Sequence, residues 1–271
     1  MTPSTALVLG GGGLLGIGWM TGVLAALEES STLVAADADV VIGTSAGSAT
    51  GAAVLQSGSA STLFESMTRK SRRNAELTPT GDLAAPMQAF ASIAASTAPD
   101  PERAQRFVAL SDALSTADPH ARRDAVESRL SGTTWPIALR VTALRSDGRL
   151  VVFGSDSGVD LIDAVTASCA VPGIWPTVTI AGATYVDGGS LSPTNAHLAE
   201  DVERVVVLAP MVDDPAMARP DIAAVLERAT VISPSPTTLS RSGENPFDPD
   251  IRGLAAVLGY DDGLEALSLL R

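Results

Sequence analysis

The first apolar run of the chain, Ala6–Leu9, is short and ends in four consecutive glycines, the pattern of a buried strand running into a loop. Beyond Gly16, apolar residues recur at Met20, Val23, Leu24 and Leu27, a spacing that predicts a helix packing one face inward. A second strand is read at Asp39–Ile42, and Ser45–Gln56, rich in Ala and Gly, reads as a closely packed helix. Strand, glycine loop, helix, strand, tight turn, helix is an alternation that predicts a parallel sheet covered by helices.

From Leu63 to Leu130 helix-like patterns dominate, interrupted by Pro79, Pro86, Pro99, Pro101 and Pro119, and no strand pattern appears. Strands return at Ile137–Leu144 and Leu150–Phe153, around the turn Ser146-Asp147-Gly148. Val159–Cys169 reads as a helix, Thr177–Ile180 and Thr184–Val186 as a hairpin about Gly182, Pro193–Glu200 as a helix and Arg204–Leu208 as a buried strand. After Pro210, helices are expected at Pro220–Val231 and Leu264–Leu270, with a mobile loop over Ser233–Pro249. The expected fold is a three-layer α/β/α domain with a central, mostly parallel sheet. Its core takes residues 5–58 and 132–210, a helical insertion 59–131 caps it, and an acidic helical and loop segment fills 211–271.

Composition narrows the function classes. The net charge is −13, which repels nucleic acid and anionic lipid at long range, so no nucleic-acid partner is expected. Residues Glu65–Ser131 are neutral, with nine basic and nine acidic residues, so the whole excess lies outside the insertion. The run Arg69-Lys70-Ser71-Arg72-Arg73 is the one place suited to transient contact with an anionic membrane surface. Cys169 is the single cysteine, which excludes an internal disulfide and a cysteine-built zinc site and fits a reducing cytoplasm. Three uncharged stretches, Ala6–Leu27, Val40–Phe64 and Ala164–Val186, are read as buried core rather than membrane spans. The first has four glycines and no basic flank, and the third holds Pro172 and Pro176. No pattern specifies an oligomeric state.

Gly43-Thr44-Ser45-Ala46-Gly47 is a G-x-S-x-G sequence between a strand and a helix. A sharp turn there pushes the serine out at a helix N-terminus, where backbone N–H groups favour developing negative charge. The run Gly10 to Gly16 admits two readings. Gly11, Gly13 and Gly16 match a dinucleotide-binding G-x-G-x-x-G, with Asp37 or Asp39 as ribose ligand. Alternatively, consecutive glycine N–H groups form an oxyanion hole. Asp187-Gly188-Gly189 ends an uncharged stretch, and a carboxyl partly desolvated there becomes a better base. His197 follows Asp187 too closely for a helix and strand to intervene, as a Ser-Asp-His order on an α/β-hydrolase sheet requires. His120 reads as a helix start.

Four blocks in order, Gly10–Gly16, Gly43–Gly47, Ala167–Pro176 and Asp187–Gly189, resemble the patatin-like phospholipase family over about three quarters of the chain. The resemblance implies a lipid or ester substrate, acyl-ester hydrolysis without metal or other cofactor, Ser45 as nucleophile and Asp187 as base. It also implies oxyanion donors in Gly11, Gly12 and Gly13, with Gly16, Gly43, Gly47, Gly188 and Gly189 supporting the loops. Many family members carry Arg or Lys where this chain has Leu15, which removes an electropositive contact for phosphate-bearing substrates. The alternative from another class is a catalytically weak regulatory or lipid-binding protein on the same scaffold.

Overall fold

The computed structural model describes residues 4–69, 76–214, 218–243 and 245–270. Eight strands form one sheet: β1 (Thr5–Leu9), β2 (Val40–Thr44), β3 (Leu139–Arg145), β4 (Leu150–Phe153), β5 (Val178–Ile180), β6 (Ala183–Asp187), β7 (Arg204–Leu208) and β8 (Thr230–Ile232). Their order is β5-β6-β3-β2-β1-β7-β8, with β4 also paired to β3. The β3-β2-β1-β7-β8 pairings are parallel, and those of β4, β5 and β6 are antiparallel.

Alternation along the strands sorts the core into two layers. Leu7 and Leu9 face α1 (Gly13–Glu29), α2 (Ala46–Ser57) and the last helix, whereas Ala6 and Val8 join Val205, Val207, Ile222 and Val225 on the other side. In sequence order the remaining helices are α3 (Ala60–Thr68), α4 (Ala84–Ala94), α5 (Asp100–Leu114), α6 (Pro119–Glu127), α7 (Leu161–Ser168), α8 (Pro220–Arg228), α9 (Pro236–Arg241) and α10 (Ile251–Ala266).

Several elements differ from expectation. Helix α1 is buried on every side from Leu14 to Leu27 except Leu15, not on one face. The reason is α10, which begins at Ile251 rather than Leu264 and lies along the outer face of α1. A side chain at Gly22 would strike the Ala256 carbonyl, and one at Gly259 the Trp19 carbonyl, so the helix axes approach closely. Trp19 Nε1 donates to Asp262 Oδ2 at 2.7 Å across this contact. The helix expected at Pro193–Glu200 reduces to a 3₁₀ turn, Ala196–Ala199. Asn195 has φ 51° there, and its side-chain amide donates to the Gly188 and Ser192 carbonyls, which competes with helix formation. The segment Thr230–Ile232 leaves α8 to pair with β7, and the expected mobile loop contains α9.

Two sheet features position the site. The C-terminal ends of β1 and β2 open onto the same edge, and β1 lies between β2 and β7, the switch point at which open α/β sheets form crevices. The second is a meeting of strand ends. Ala143 and Leu144 pair with both β4 and β6, so those strands lie on opposite edges of β3; Val141 and Thr142 pair with both β2 and β4. Strands β2 and β6 therefore share one edge of β3 and run head to head. Thr44 pairs with Thr142 and Asp187 with the next residue, Ala143, so the two C-terminal ends abut.

Among the insertion helices, α3 packs on α1 and α10. Phe107 and Ile93 of α5 and α4 cover Leu144 and Val186, and α6 packs on α7. Of the basic run, Arg69 ion-pairs with Glu65 at 2.7 Å on an exposed surface, and Lys70–Arg73 lie outside the described residues.

Candidate active site

Ser45 sits where β2 turns into α2, with φ 53° and ψ −118°. A non-glycine residue in that region is strained, and strain of this kind persists only where surroundings over-determine it. Here they do. Ser45 N–H donates to Ser168 Oγ at 2.9 Å, and Ser45 carbonyl accepts from Ser48 Oγ at 2.7 Å and Cys169 Sγ at 3.3 Å. The Ala167–Pro176 block thus clamps both sides of the serine. Gly47 allows the next requirement, since a side chain there would collide with the Leu9 carbonyl and push α2 off β1.

Asp187 ends β6 and is 3% exposed. Its Oδ1 accepts Gly189 N–H at 2.7 Å, and among the described residues its Oδ2 has no hydrogen-bond partner. Burial lifts the carboxyl to a pKa of about 7, opposed by the Ser45 hydroxyl, the Gly189 N–H and the Arg122 guanidinium. The Ser45 hydroxyl is thus close enough to act on the carboxyl, although no Ser45 Oγ–Asp187 contact meets hydrogen-bond geometry.

The glycine loop faces the same space. Gly11 N–H donates to the Pro193 carbonyl at 2.9 Å, which removes Gly11 from the candidate oxyanion donors. Among the described residues, Gly12 and Gly13 N–H have no acceptor. Gly13 has φ +63°, and a side chain there would meet the Pro246 carbonyl at 2.6 Å, which in turn accepts Leu15 N–H at 3.1 Å. The C-terminal segment therefore seats the loop, a role no local pattern announced. Gly16 and Gly43 lie in the flanking close contacts, and Gly188 in a 3₁₀ turn packed on Thr142. A cavity of about 520 Å³ joins Ser45, Asp187, Gly12 and Gly13. Its walls include Met87, Phe90, Val171, Met211, Ile222 and Phe247, so it is largely apolar.

The dinucleotide reading fails on position. Asp39 lies at the start of β2, at the opposite sheet edge from the glycine loop, and its Oδ2 accepts Thr5 N–H at 2.7 Å. His197 lies on the 3₁₀ turn among Asp221, Arg219 and Glu200, with burial holding its pKa below the usual imidazole value, and it borders neither cavity at Ser45. His120 is exposed on α6. Among the described residues no cluster has metal-ligand character, and no helix is long and apolar enough to cross a membrane.

A mostly parallel sheet flanked by helices, with a strained serine at a strand–helix elbow facing a glycine loop at the C-terminal strand edge, defines a protein of the α/β class. Within it, the sequence profile of the family described as patatin-like phospholipase matches residues 7–200. The chain belongs to that family. No curated protein sequence matches it. Among solved structures, VipD from Legionella pneumophila is similar with TM-score 0.50 and 16% identity, over 99% of this chain and 67% of VipD. The type III effector ExoU is similar with TM-score 0.46 and 17% identity, over 100% of this chain and 53% of ExoU. ExoU in complex with SpcU, from Pseudomonas aeruginosa, gives TM-score 0.46 and 16% identity over 99% of this chain. The chain thus spans about half the length of ExoU.

Proposed function

We propose that this protein is a serine-dependent carboxylic ester hydrolase acting on lipids, of the phospholipase A or esterase type. The observation that carries the reading is the free Oδ2 of a buried carboxyl with a pKa of about 7, brought beside a strained, clamped serine by two strands meeting end to end. Near neutral pH such a group takes and returns a proton readily.

In the proposed cycle Ser45 Oγ attacks the ester carbonyl while its proton passes to Asp187 Oδ2. Gly12 and Gly13 N–H groups hold the resulting oxyanion. Collapse breaks the bond to the alcohol, which leaves with the Asp187 proton, and the acyl group stays on Ser45. Water then attacks, giving its proton to Asp187, and the fatty acid departs as Ser45 regains its hydrogen. The apolar cavity suits the acyl chain. Met211 and Val212, 50% and 53% exposed beside it, suit transient contact with a lipid surface.

Hydrolysis of a short chromogenic ester and of lysolipids by purified wild type, Ser45→Ala and Asp187→Asn tests this. The reading requires turnover by wild type and its loss in both variants with folding intact. Lipid binding without turnover in wild type would favour the lipid-binding alternative.

A further inference from the structure

Beside Ser45 lies a second, much smaller cavity of about 20 Å³, which shares Gly13, Ser45, Val171 and Phe247 with the walls of the larger apolar one. Its walls include Ser45, Leu77, Arg122, Arg129, Cys169 and Trp175. Two buried guanidinium groups next to a nucleophile need an explanation, because a buried charge is costly unless paired.

Arg129 has a partner. Its Nε and Nη2 bind Glu76 at 3.0 and 2.7 Å, and Arg252 Nη1 binds the same carboxylate at 2.8 Å. Arg122 has none of this kind. It is 4% exposed, its guanidinium lies 4.0 Å over the Trp175 ring, and among the described residues its guanidinium makes one hydrogen bond, a long 3.4 Å contact from Nη2 to the Cys169 carbonyl. Among the described residues its Nε and Nη1 have no acceptor. Among the described residues the cluster holds three arginines against Glu76, and one positive charge stays in excess even with Asp187 ionised. Burial lowers the Arg122 pKa to about 9, in keeping with a cation short of counter-charge.

The geometry points to an anion-binding subsite on Arg122 and Arg129, beside Ser45, that takes a phosphate group on the alcohol half of the ester while the acyl chain fills the apolar cavity. The location rests on Ser45 as the reacting residue; the binding itself does not. The cavity has room for about one water-sized atom, so phosphate reaches Arg122 by one oxygen rather than entering whole. The positive charge absent at Leu15 of the glycine loop is then supplied by Arg122 on α6. The matching lipid is a lysophospholipid with an exposed phosphate; free phosphate shares the chemistry.

Trp175 reports occupancy directly, because its ring carries the Arg122 guanidinium. Tryptophan emission of Ser45→Ala is titrated with inorganic phosphate and, separately, with a monomeric 1-acylglycerol 3-phosphate. Trp175→Phe identifies the responding residue. The expected result is a saturable change with both, weakened about tenfold or more by Arg122→Gln. In protein with Ser45 intact, the kcat/KM ratio for 1-acylglycerol 3-phosphate over the 1-monoacylglycerol of the same chain should fall about tenfold in Arg122→Gln. Should that variant not fold, Arg122→Lys keeps the charge, removes the Nε and Nη1 donors, and should lower the same ratio. Inorganic phosphate binding through Arg122 with no change in the lipid ratio would assign the site to free phosphate and overturn the substrate role. No Arg122-dependent response to either ligand would overturn the subsite altogether. Phosphate binding intact in a wild type that hydrolyses no ester would fault the hydrolase reading and support the subsite.

Discussion

Ser168 Oγ accepts the Ser45 N–H at 2.9 Å, so the strained serine is held by a residue 123 positions further along the chain. Both residues are buried. Ser168→Ala leaves that N–H without a partner, which costs about 1–3 kcal/mol. At roughly 2–4 °C per kcal/mol for a chain of this size, the melting temperature should fall measurably. Because the clamp fixes the proposed nucleophile rather than the substrate, kcat should fall while KM stays near the wild-type value. Steady-state kinetics and a thermal melt on the same preparation check both.

Asp187 couples activity to pH and to stability in opposite senses. In its proposed role as base it works ionised, so kcat/KM for an uncharged ester should rise through an apparent pKa of about 7. The folded pKa is raised above the unfolded value, so between about pH 4 and 7 the folded protein holds a proton that the unfolded chain releases. Stability then falls as pH rises across that window, by up to roughly 1.4 kcal/mol per unit. Asp187→Asn should abolish activity yet melt above wild type at pH 8, and the two curves should converge near pH 4. Melting curves across pH 4 to 8 test the sign.

Gly13→Ala places a methyl group against the Pro246 carbonyl at a backbone φ of +63°. The loop must move, and the proposed oxyanion donors move with it. A loss of about 10²–10³ in kcat is expected, the scale of one lost oxyanion donor, with a smaller change in KM. Kinetics on a short ester, where chain binding contributes little, isolate this effect.

The apolar cavity beside Ser45, as the proposed acyl site, makes a chain-length prediction. Ala94 on α4 lines it and is partly exposed, so a larger side chain there fills the cavity without entering the sheet core. Ala94→Trp should lower kcat/KM for a ten-carbon acyl ester relative to a four-carbon one by about tenfold or more, since each excluded methylene forfeits burial of about 0.8 kcal/mol. A matched series of chromogenic esters measures the shift.

The parts of this site legible in sequence are those in which a few adjacent residues carry the requirement. Gly43–Gly47 needs only a strand, a turn and a helix, and Asp187-Gly188-Gly189 only the end of an uncharged run. The rest depends on distance. The one-faced pattern of Met20, Val23, Leu24 and Leu27 gave no sign of α10, whose own apolar pattern is interrupted by Asp262. That aspartate is 6% exposed and accepts from Trp19 Nε1, Thr238 Oγ1 and Ser235 N–H, so it is an interior residue carrying a surface letter. The same holds for Arg122, which reads as a helix-surface charge among Arg123 and Asp124 but points inward over Trp175. Pro246 falls within the stretch read as a mobile loop, Ser233–Pro249, and instead seats the glycine loop. Cys169 and Ser168 stood inside a recognised block, yet their partner, the Ser45 peptide, lay too far away in sequence to be inferred.

The central claim is that Ser45 is the nucleophile and Asp187 its base. Intact-mass analysis after treatment with a fluorophosphonate probe, followed by peptide mapping, tests it most directly. The account predicts one adduct per wild-type chain, located on Ser45, absent in Ser45→Ala and formed far more slowly in Asp187→Asn. Labelling of wild type at another residue, or unchanged labelling rate in Asp187→Asn, would contradict it.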